Sequence, residues 1–345
     1  MKVLLFEWLT EGGLWMDSTS LDSAGNLLQQ GVGMVSAVGL DLAKFAEVDL
    51  LVDCRLNQPN ARDSAKLTAA KTTLGRLTRV ANVHSIDNQT ALEPKLKSLA
   101  RDANAILLIA PETDDCLANS IRWLDDQSHK LISPALDCVL ATSNKNQLAD
   151  LLTSHGFDNI PPGMKLEHFQ QLPDEKQTNW LPIVVKPVDG CGSERIEFFT
   201  TIQQFKTWLA QQTATQRVEF RVERFIAGTP TSIAVVCRHG KEPVFFPAMK
   251  QILRPPPVGE YQRSEDCLSE SQQLRAKQLA AKAIACLPET IGFLGLDLVL
   301  NDQGDTAKDM LIEIPPGITM SYLKLSQKLD DGLIAKLMLD GLDPV

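Results

Sequence analysis

A lysine that leads into a glycine-rich loop, together with two acids far downstream, forms the most informative residue pattern in this chain. The loop spans residues 186–193 and reads KPVDGCGS, and the acids are Asp297 and Glu313. Lysine supplies positive charge for phosphate oxygens, and glycines let backbone N–H groups approach a polyphosphate because no Cβ intervenes. Neighbouring strands at 295–300 and 310–314 would aim both carboxylates at one hard cation such as Mg²⁺. The pattern predicts binding of a nucleoside triphosphate through its metal.

Each of these residues also has a plainer explanation. The loop at 186–193 could be an ordinary surface turn, and Asp297 could cap a turn. The apolar run before the loop and the acid partners behind it favour the nucleotide site instead. Arg254 is equally compatible with a charge on an exposed loop and with a clamp on a phosphate or substrate. Cys191 is interpreted as a small residue that only fills space, because phosphate binding does not require a thiolate.

Composition places the chain among globular proteins without a membrane span. Its 345 residues are 44% hydrophobic and 22% charged, which is enough for two or three compact units. A formal net charge of −9 argues against nucleic acid or an anionic membrane as the main partner. The beginning of the chain lacks the pattern of a signal peptide, and no apolar run is long enough to span a bilayer. The seven cysteines form no C-x-x-C pair, so we expect a reduced, cytoplasmic protein without structural zinc.

Strand-like and helix-like segments alternate in the first part of the chain. The short apolar runs predict strands and the runs with helical spacing predict helices, at residues 3–6, 49–52 and 105–110 and at 27–45 and 92–100. Such alternation predicts an α/β fold with a parallel sheet. Residues 111–115 (PETDD) follow a strand directly, and therefore lie at the carboxyl edge where open α/β sheets bind ligands. Residues 131–134 close this unit.

The second part carries the predicted loop and the acid strands. Residues 143–145 cap a helix that runs to about residue 155. The remaining segments predict strands at 183–187, 196–199, 218–226 and 232–237, a turn at 228–230, and helices at 202–212 and 270–286. Residues 254–259 (RPPPVG) cannot form a helix interior or a central strand, so they predict an exposed loop over the site.

Four short segments resemble a known family: FEWLTEGG at 6–13, APET at 110–113, SNK at 143–145 and ITMSY at 318–322. With the loop and the acids, the whole chain resembles the ATP-grasp superfamily of carboxylate–amine ligases. Its short segments are most similar to the tyramine–glutamate ligase-like group of methanofuran-type cofactor synthesis. The resemblance implies an α+β ATP clamp after a Rossmann-like pre-ATP-grasp domain. It implies three parts: a leading domain at 1–137, a lobe with the glycine loop at 138–226, and a lobe with the metal acids at 227–345.

The resemblance also implies a role for individual residues. It assigns Asp297 and Glu313 to the metal, and Arg254 is the candidate catalytic clamp. Lys145 matches a phosphate-binding lysine, although by itself it could be a solvated lysine of a first helical turn. The implied nucleotide-binding set consists of Lys145, Lys186, Asp189, Gly190, Gly192, Ser193, Glu223, Arg224, Phe225 and Ile226. Within this set, the segment that begins at Glu223 matches the hinge that reads adenine.

Several positions depart from the family pattern. Pro315 stands where an Asn side chain normally binds a second Mg²⁺, and Gly317 stands where an Arg is common. Pro230 lies near the place of the usual ribose-binding acid, and residues 11–13 read EGG in place of three glycines. The lost Asn puts the two-metal geometry in doubt, although water or a carbonyl can replace one ligand of a magnesium ion.

The sequence therefore predicts an ATP- and Mg²⁺-dependent ligase that joins a small carboxylate, with glutamate as a candidate, to a small amine such as tyramine. The reaction would pass through an acyl phosphate. Glu7 and Glu112 are candidate amine-binding residues, and Ser321 and Tyr322 either line the acceptor pocket or, for Tyr322, belong to the core. A homodimer is compatible with the resemblance.

Two rival functions compete with the ligase. Pro315 motivates a degenerate ATP-grasp protein that binds nucleotide without turnover, as a sensor or partner subunit. A dinucleotide-dependent oxidoreductase is disfavoured, because residues 7–13 (EWLTEGG) follow the first strand where G-x-G-x-x-G would be needed.

Overall fold

The computed structural model describes most of the chain, in the ranges 1–15, 21, 25–57, 63–190, 195–213, 219–254 and 261–342. Cys191, Gly192 and Ser193 of the predicted phosphate loop lie outside the described residues, as do residues 255–259 of the proline-rich segment.

The N-terminal part is built on a parallel sheet, which confirms the α/β prediction. Its described strands are β1 (Lys2–Glu7), β2 (Glu47–Asp53), β3 (Asn82–Ile86) and β4 (Ala105–Ile109), and they lie in the order β3-β2-β1-β4. The helices of this part are α1 (Gly25–Leu42), α2 (Cys54–Asn57), α3 (Ala65–Leu77), α4 (Gln89–Asp102) and α5 (Cys116–Trp123). The predicted strands and helices of this part are all present, within a few residues of their expected bounds.

The two edges of this sheet differ. Strand β3 is an exposed edge strand with a mostly polar sequence, and for that reason the apolar pattern did not predict it. At the other edge, Leu131 forms a parallel bridge with Ile106. The Ser133 hydroxyl then accepts a hydrogen bond from the Leu108 N–H at 2.7 Å. Residues 131–134 therefore close the sheet as expected.

The middle part contains a small antiparallel sheet. Its elements are α6 (Leu136–Ser143), α7 (Lys145–Ser154), β5 (Gly163–Lys165), α8 (Leu166–Gln170), α9 (Asp174–Thr178), β6 (Ile183–Pro187), β7 (Glu197–Phe199), α10 (Ile202–Ala210) and β8 (Phe220–Arg224). The described strands lie in the order β5-β8-β6-β7. Edge-to-face packing of Phe169, Phe199 and Phe205 fills the space between this sheet and its helices. This core holds β6, and with it Lys186, in a fixed position.

The last part contains a larger antiparallel sheet. Its elements are β9 (Thr229–Arg238), β10 (Lys241–Phe245), β11 (Met249–Leu253), β12 (Tyr261–Glu265), α11 (Glu270–Ile284), β13 (Gly292–Leu300), β14 (Met310–Glu313), α12 (Ser321–Lys328) and α13 (Leu333–Leu339). The described strands lie in the order β12-β11-β9-β13-β14, with β10 on β9. The predicted turn at 228–230 was partly wrong. Thr229 and Pro230 begin β9, where a proline is tolerated at the start of a strand.

The two C-terminal helices pack back onto the first part of the chain. Tyr322 on α12 is fully buried, and its hydroxyl donates a hydrogen bond to Asp41 on α1 at 3.0 Å. The helices α12 and α13 share a hydrophobic core with the parallel sheet. Tyr322 is therefore a core residue, and its alternative role in an acceptor pocket was wrong. The same packing carries the segment after β14 across the carboxyl edge of the parallel sheet.

Two further expectations concern the membrane and the cysteines. No helix within the described ranges is long and apolar enough to cross a membrane. The six described cysteines carry free thiols.

Candidate active site

The two predicted metal acids lie side by side on adjacent strands. In the antiparallel pair of β13 and β14, Asp297 stands directly opposite Glu313, next to an irregularity in the register after Asp297. Residues directly opposite each other in such a pair project to the same face of the sheet. The two carboxyl groups come within hydrogen-bonding reach of each other.

Two buried lysines converge on this acid pair from other elements. The Lys145 ammonium lies 3.5 Å from Glu313 Oε2 and donates a hydrogen bond to the Gly190 carbonyl at 2.8 Å. The Lys186 ammonium lies 2.7 Å from Glu223 Oε2 and 3.5 Å from the carbonyl oxygen of Ile312, the residue before Glu313. Lys145 and Lys186 were predicted together from distant positions, and the structure brings them to one place.

Local structure fixes the position of Lys145. The Asn144 side chain accepts hydrogen bonds from the N–H groups of Asn146 and Gln147, and it thereby caps α7 directly before Lys145. The Lys145 N–H donates to the Val188 carbonyl at 2.8 Å, so the helix start and the glycine loop are joined through backbone as well as side chain. Lys145 is thus a buried structural and electrostatic partner of the loop, and not a solvated first-turn lysine.

The environment separates the pKa values of the two acids. Burial raises the pKa of Asp297 well above its usual value, and the nearby charge of Glu313 raises it further. Burial also pushes up the pKa of Glu313, but the ammonium groups of Lys145 and Lys186 outweigh that effect and hold it below its usual value. The surroundings therefore favour the ionised form of Glu313 and the protonated form of Asp297.

The donor set fits a hard divalent cation. Two carboxyl groups close enough to share a proton can instead be bridged by one ion, and oxygen donors are what Mg²⁺ prefers. Gln251 on β11 donates its amide N–H to Asp297 Oδ1 at 2.9 Å, which fixes the orientation of that carboxyl group. Within the described residues, no group of three or more His, Cys, Asp or Glu side chains is arranged to hold a metal. Asp297 and Glu313 are therefore the two carboxyl groups that could act as metal ligands here.

The hinge residues hold an internal ion pair. Both carboxylate oxygens of Glu223 are engaged, one by Lys186 and the other by the Arg221 Nε at 2.7 Å. The Arg224 N–H donates to the Pro162 carbonyl and the Phe225 N–H donates to the Pro182 carbonyl, each at 2.9 Å. Both carboxylate oxygens of Glu223 are therefore already paired with cationic side chains in this structure.

The other predicted residues lie around this centre with less definition. Phe225 is 37% exposed, and its ring packs edge-on against Phe198 at 5.0 Å, so the two rings form an apolar wall beside the hinge. Asp189 and Gly190 follow β6 in the described part of the loop. Arg254 is exposed directly after β11. Gln251, three residues earlier on the same strand, is the residue that reaches the acid pair, and the sequence contained no signal for it.

Glu112 adds a third carboxyl group from the first part of the chain. It follows β4 at the carboxyl edge of the parallel sheet, as expected for residues 111–115. Burial raises the pKa of Glu112 to about 8; the charges of Glu313 and Asp297 act in the same direction and Lys145 opposes them. The leading domain therefore contributes directly to the electrostatics of the site.

Glu7, the other predicted amine-binding residue, lies in a separate closed cluster. It is 1% exposed, and its Oε2 accepts a hydrogen bond from the Thr10 N–H at 2.8 Å. Burial raises the pKa of Glu7 to about 7. Glu11 beside it is fully buried and neither of its carboxylate oxygens has a hydrogen-bond partner; burial, then the charge of Glu7, raise its pKa well above the usual value.

Comparison with known families identifies this arrangement. The ATP-grasp domain family matches residues 142–321, which is more than half of the chain and includes both lysines and both acids. The chain belongs to the ATP-grasp family. A pre-ATP-grasp domain family matches residues 64–139, in agreement with the parallel sheet at the N-terminus. No curated protein matches the chain.

Solved structures show the same fold over nearly the entire length. An ATP-grasp superfamily protein from Archaeoglobus fulgidus has a TM-score of 0.68 at 18% identity, and the match covers 99% of this chain and 88% of that one. An N5-carboxyaminoimidazole synthetase from Staphylococcus aureus has a TM-score of 0.67 at 13% identity, with 100% and 78% covered. An L-amino acid ligase from Bacillus licheniformis has a TM-score of 0.62 at 13% identity, with 100% and 74% covered. At these identities the likeness establishes the fold alone.

Proposed function

We propose that this ATP-grasp protein is an ATP- and Mg²⁺-dependent ligase that joins a carboxylate to an amine. The observation that carries the proposal is the convergence of two buried lysines from different elements on the cross-strand acid pair. Lys145 and Lys186 point cationic groups at the place where Asp297 and Glu313 offer oxygen ligands. A binding site for phosphate oxygens and their metal needs this combination of charges. The name of one structural neighbour, an L-amino acid ligase, agrees with this assignment.

Each group has a defined task in this proposal. Lys145 and Lys186 bind the phosphate oxygens and offset charge that moves toward the leaving group. Asp297 and Glu313 would hold the metal, and the Gln251 side-chain amide donates the hydrogen bond that orients Asp297. When bound, Mg²⁺ would supply further positive charge to the phosphate oxygens.

The chemistry needs no covalent nucleophile from the protein. An oxygen of the substrate carboxylate bonds to the γ-phosphorus of ATP while the bond to the β-phosphate oxygen breaks, which gives an acyl phosphate and ADP. The amine nitrogen then bonds to the acyl carbon, phosphate leaves, and the nitrogen loses a proton to give the amide. The protein must position the reactants, neutralise charge and exclude water from the acyl phosphate. The buried lysines meet the second of these requirements.

The hinge suggests how the adenine is held. Because the Arg224 and Phe225 N–H groups already bond to Pro162 and Pro182, we assign the N–H of Ile226 to the adenine ring. Phe198 and Phe225 supply an apolar wall for the base. On this assignment Glu223 acts by holding Lys186 and not by contacting adenine directly.

The substrate pair and the division of the chain remain proposals from the sequence. Glutamate and tyramine are the first candidates, from the resemblance of four short segments. The proposed parts are 1–137, 138–226 and 227–345. The alternative function is a non-catalytic nucleotide-binding protein. Pro315 favours it, because it lacks a side-chain oxygen and its carbonyl already accepts a hydrogen bond from the Gly295 N–H at 3.1 Å.

Calorimetry of ATP binding with and without Mg²⁺ tests the proposal. The comparison should include Pro315→Asn, which restores a side-chain oxygen, and Pro315→Ala, which removes the proline ring without adding one. ADP release with glutamate and tyramine then tests turnover. Mg²⁺-dependent ATP binding by the natural chain with amine-dependent ADP release supports the ligase. Mg²⁺-dependent binding without ADP release for any acid and amine favours the non-catalytic alternative. Binding that appears only in Pro315→Asn shows that the natural site has lost its metal.

A further inference from the structure

A small cavity lies where the parallel sheet meets the segment after β14. One side is formed by the end of β4 and the residues that follow it, from Leu108 to Glu112, and the other by residues 315–319. The cavity has a volume of about 40 Å³, which is room for a small polar head and its first carbon. It lies within electrostatic range of the acid pair, because Glu112 is influenced by both Glu313 and Asp297.

A glycine on β13, Gly295, allows the close packing that shapes this cavity. The Gly295 N–H donates to the Pro315 carbonyl, so the segment after β14 lies against β13 two residues before Asp297. A Cβ at Gly295 would stand 2.9 Å from Thr319 Cγ2, which is too close for a side chain without movement of the segment. The backbone of 315–319 is thereby held facing Glu112, and the cavity results from the fold of the protein, not from side-chain placement alone.

Glu112 is the ionisable group of this cavity, and no described cationic side chain forms an ion pair with it. No hydrogen bond joins it to another described side chain either. Lys145 is near, but its ammonium is engaged by Gly190 and Glu313. Leu108, Ile109 and Ile318 contribute apolar side chains to the remaining walls, which also present polar surface. An ammonium group in this cavity would favour the ionised form of Glu112 and pair with it, whereas a carboxylate would not, so the cavity suits a cation.

We propose that this cavity binds the amine substrate, with Glu112 as the partner of its ammonium group. The inference rests on the proposed function, since it names the subsite for one of the two substrates. It places the amine beside the acid pair, where the acyl group would be activated, and it lets the rest of the amine extend out of the cavity. Glu112 is thus a substrate-binding residue supplied by the leading domain.

Ligand-observed NMR with matched probes tests this site directly. The amines are propylamine, benzylamine and tyramine, and the controls are the uncharged alcohols 1-propanol, benzyl alcohol and tyrosol. The key variant is Glu112→Gln, which removes the charge at nearly constant volume. Asp114→Asn is the matched control, because Asp114 is an exposed acid two residues away with φ of 54°, a conformation that Asn accepts. Ala110→Leu narrows the cavity and leaves its charge in place.

We expect the wild-type protein to bind the amines and not the alcohols. Loss of one charge-assisted contact in Glu112→Gln should weaken amine binding about 10- to 100-fold. Ala110→Leu should weaken it as well, and Asp114→Asn should not. Equal amine binding by wild type and Glu112→Gln overturns the proposal, and so does equal binding of alcohols, or no binding by any amine. If Glu112→Gln fails to fold, amine binding by Ala110→Leu tests the proposal instead: weaker binding supports it, and unchanged binding overturns it.

ATP calorimetry on the same proteins separates this inference from the proposed function. Amine binding that depends on Glu112, in a protein that does not bind ATP, would retain the cation site and reject the ligase. Mg²⁺-dependent ATP binding, together with amine binding that is unchanged in Glu112→Gln, would support the nucleotide site and reject this subsite.

Discussion

Two pairs of neighbouring acids in this protein differ in exposure and have opposite electrostatic surroundings: Glu7 and Glu11 are buried, whereas the Glu313 side chain is 31% exposed. Asp297 and Glu313 lie among two lysines and an amide donor. Glu7 and Glu11 lie beneath α1 and close to a backbone turn, where a Cβ at Gly31 would stand 2.6 Å from Glu7 Oε1. No described cationic side chain forms an ion pair with Glu7 or Glu11. The lysines therefore stabilise a charged form of one pair, whereas burial favours the protonated form of the other.

The difference shows how a perturbed pKa alone can mislead a search for functional acids. Both pairs contain carboxyl groups with perturbed pKa values. Only the pair with cationic neighbours is stabilised in an ionised form that can offer oxygen ligands to a metal. For the closed pair, burial favours the neutral form. Neutralising substitutions should therefore have opposite consequences at the two places.

The largest effect should come from Glu313→Gln. The variant keeps the shape of the side chain but removes the charge that pairs with Lys145 and completes the metal site. We expect ATP turnover to fall by more than about 1000-fold, with the far-UV circular dichroism spectrum unchanged. ADP release under saturating Mg²⁺ is the measurement. Glu242→Gln, an exposed acid on β10, is the matched control and should retain turnover. Wild-type turnover in Glu313→Gln would show that the metal assignment is wrong.

Glu7→Gln should instead stabilise the protein, and only at higher pH. The folded-state pKa of Glu7 is about 7, whereas the ordinary pKa of a glutamate is 4.5, so the folded chain holds a proton that the unfolded chain has lost between these values. The free energy of unfolding of the wild type therefore decreases as pH rises from about 4.5 to about 7. Gln cannot ionise, so at pH 8 the variant should be more stable by roughly 3 kcal/mol.

Urea denaturation at pH 4.5, 6 and 8 measures this effect. The stability difference between Glu7→Gln and wild type should be near zero at pH 4.5 and should grow with pH. Glu47→Gln, an exposed acid at the start of β2, should show a flat difference. A destabilised Glu7→Gln at pH 8 would mean that the folded protein stabilises the Glu7 carboxylate and does not raise its pKa, and the contrast between the two acid pairs would disappear.

The smallest of the three effects should come from Gln251→Ala. This variant removes the hydrogen bond from the Gln251 amide to Asp297 but leaves both acids in place. We expect Mg²⁺-dependent ATP affinity to fall about 5- to 10-fold, as expected for one lost hydrogen bond to a carboxyl group. Calorimetry is the measurement, and Gln203→Ala on the exposed face of α10 is the control. A change of 100-fold or more would indicate that Gln251 is itself a metal ligand.

The pairing of the two metal acids was predictable, because each apolar run had the length and composition of a strand. The relation of Lys145 to Glu313 was predictable only through the family resemblance, since the two residues lie far apart in sequence.

The contact of Gln251 with Asp297 could not be predicted from the sequence. Its role depends on β11 and β13 flanking β9 on opposite sides, and strand order leaves no mark on local composition. The polar edge strand β3 was missed for a related reason, since an exposed edge needs no apolar pattern.

Tyr322 and Glu112 show the same limit at longer range. The sequence left Tyr322 open between a pocket and the core, and its hydrogen bond to Asp41 at the far end of the chain placed it in the core. Glu112 was assigned to a sheet edge correctly, but its position beside the metal acids depends on the C-terminal helices packing on α1.

By itself, the sequence determined the α/β beginning, the strands that carry the acids and the capped helix that begins at Lys145. These features follow from periodicity and capping, which act over a few residues. The tertiary structure decided which buried acids have cationic neighbours, which amide orients Asp297, and that the leading domain places Glu112 at the site. Those outcomes depend on distances between segments, because the charge state of a buried carboxyl group is set by what surrounds it in space.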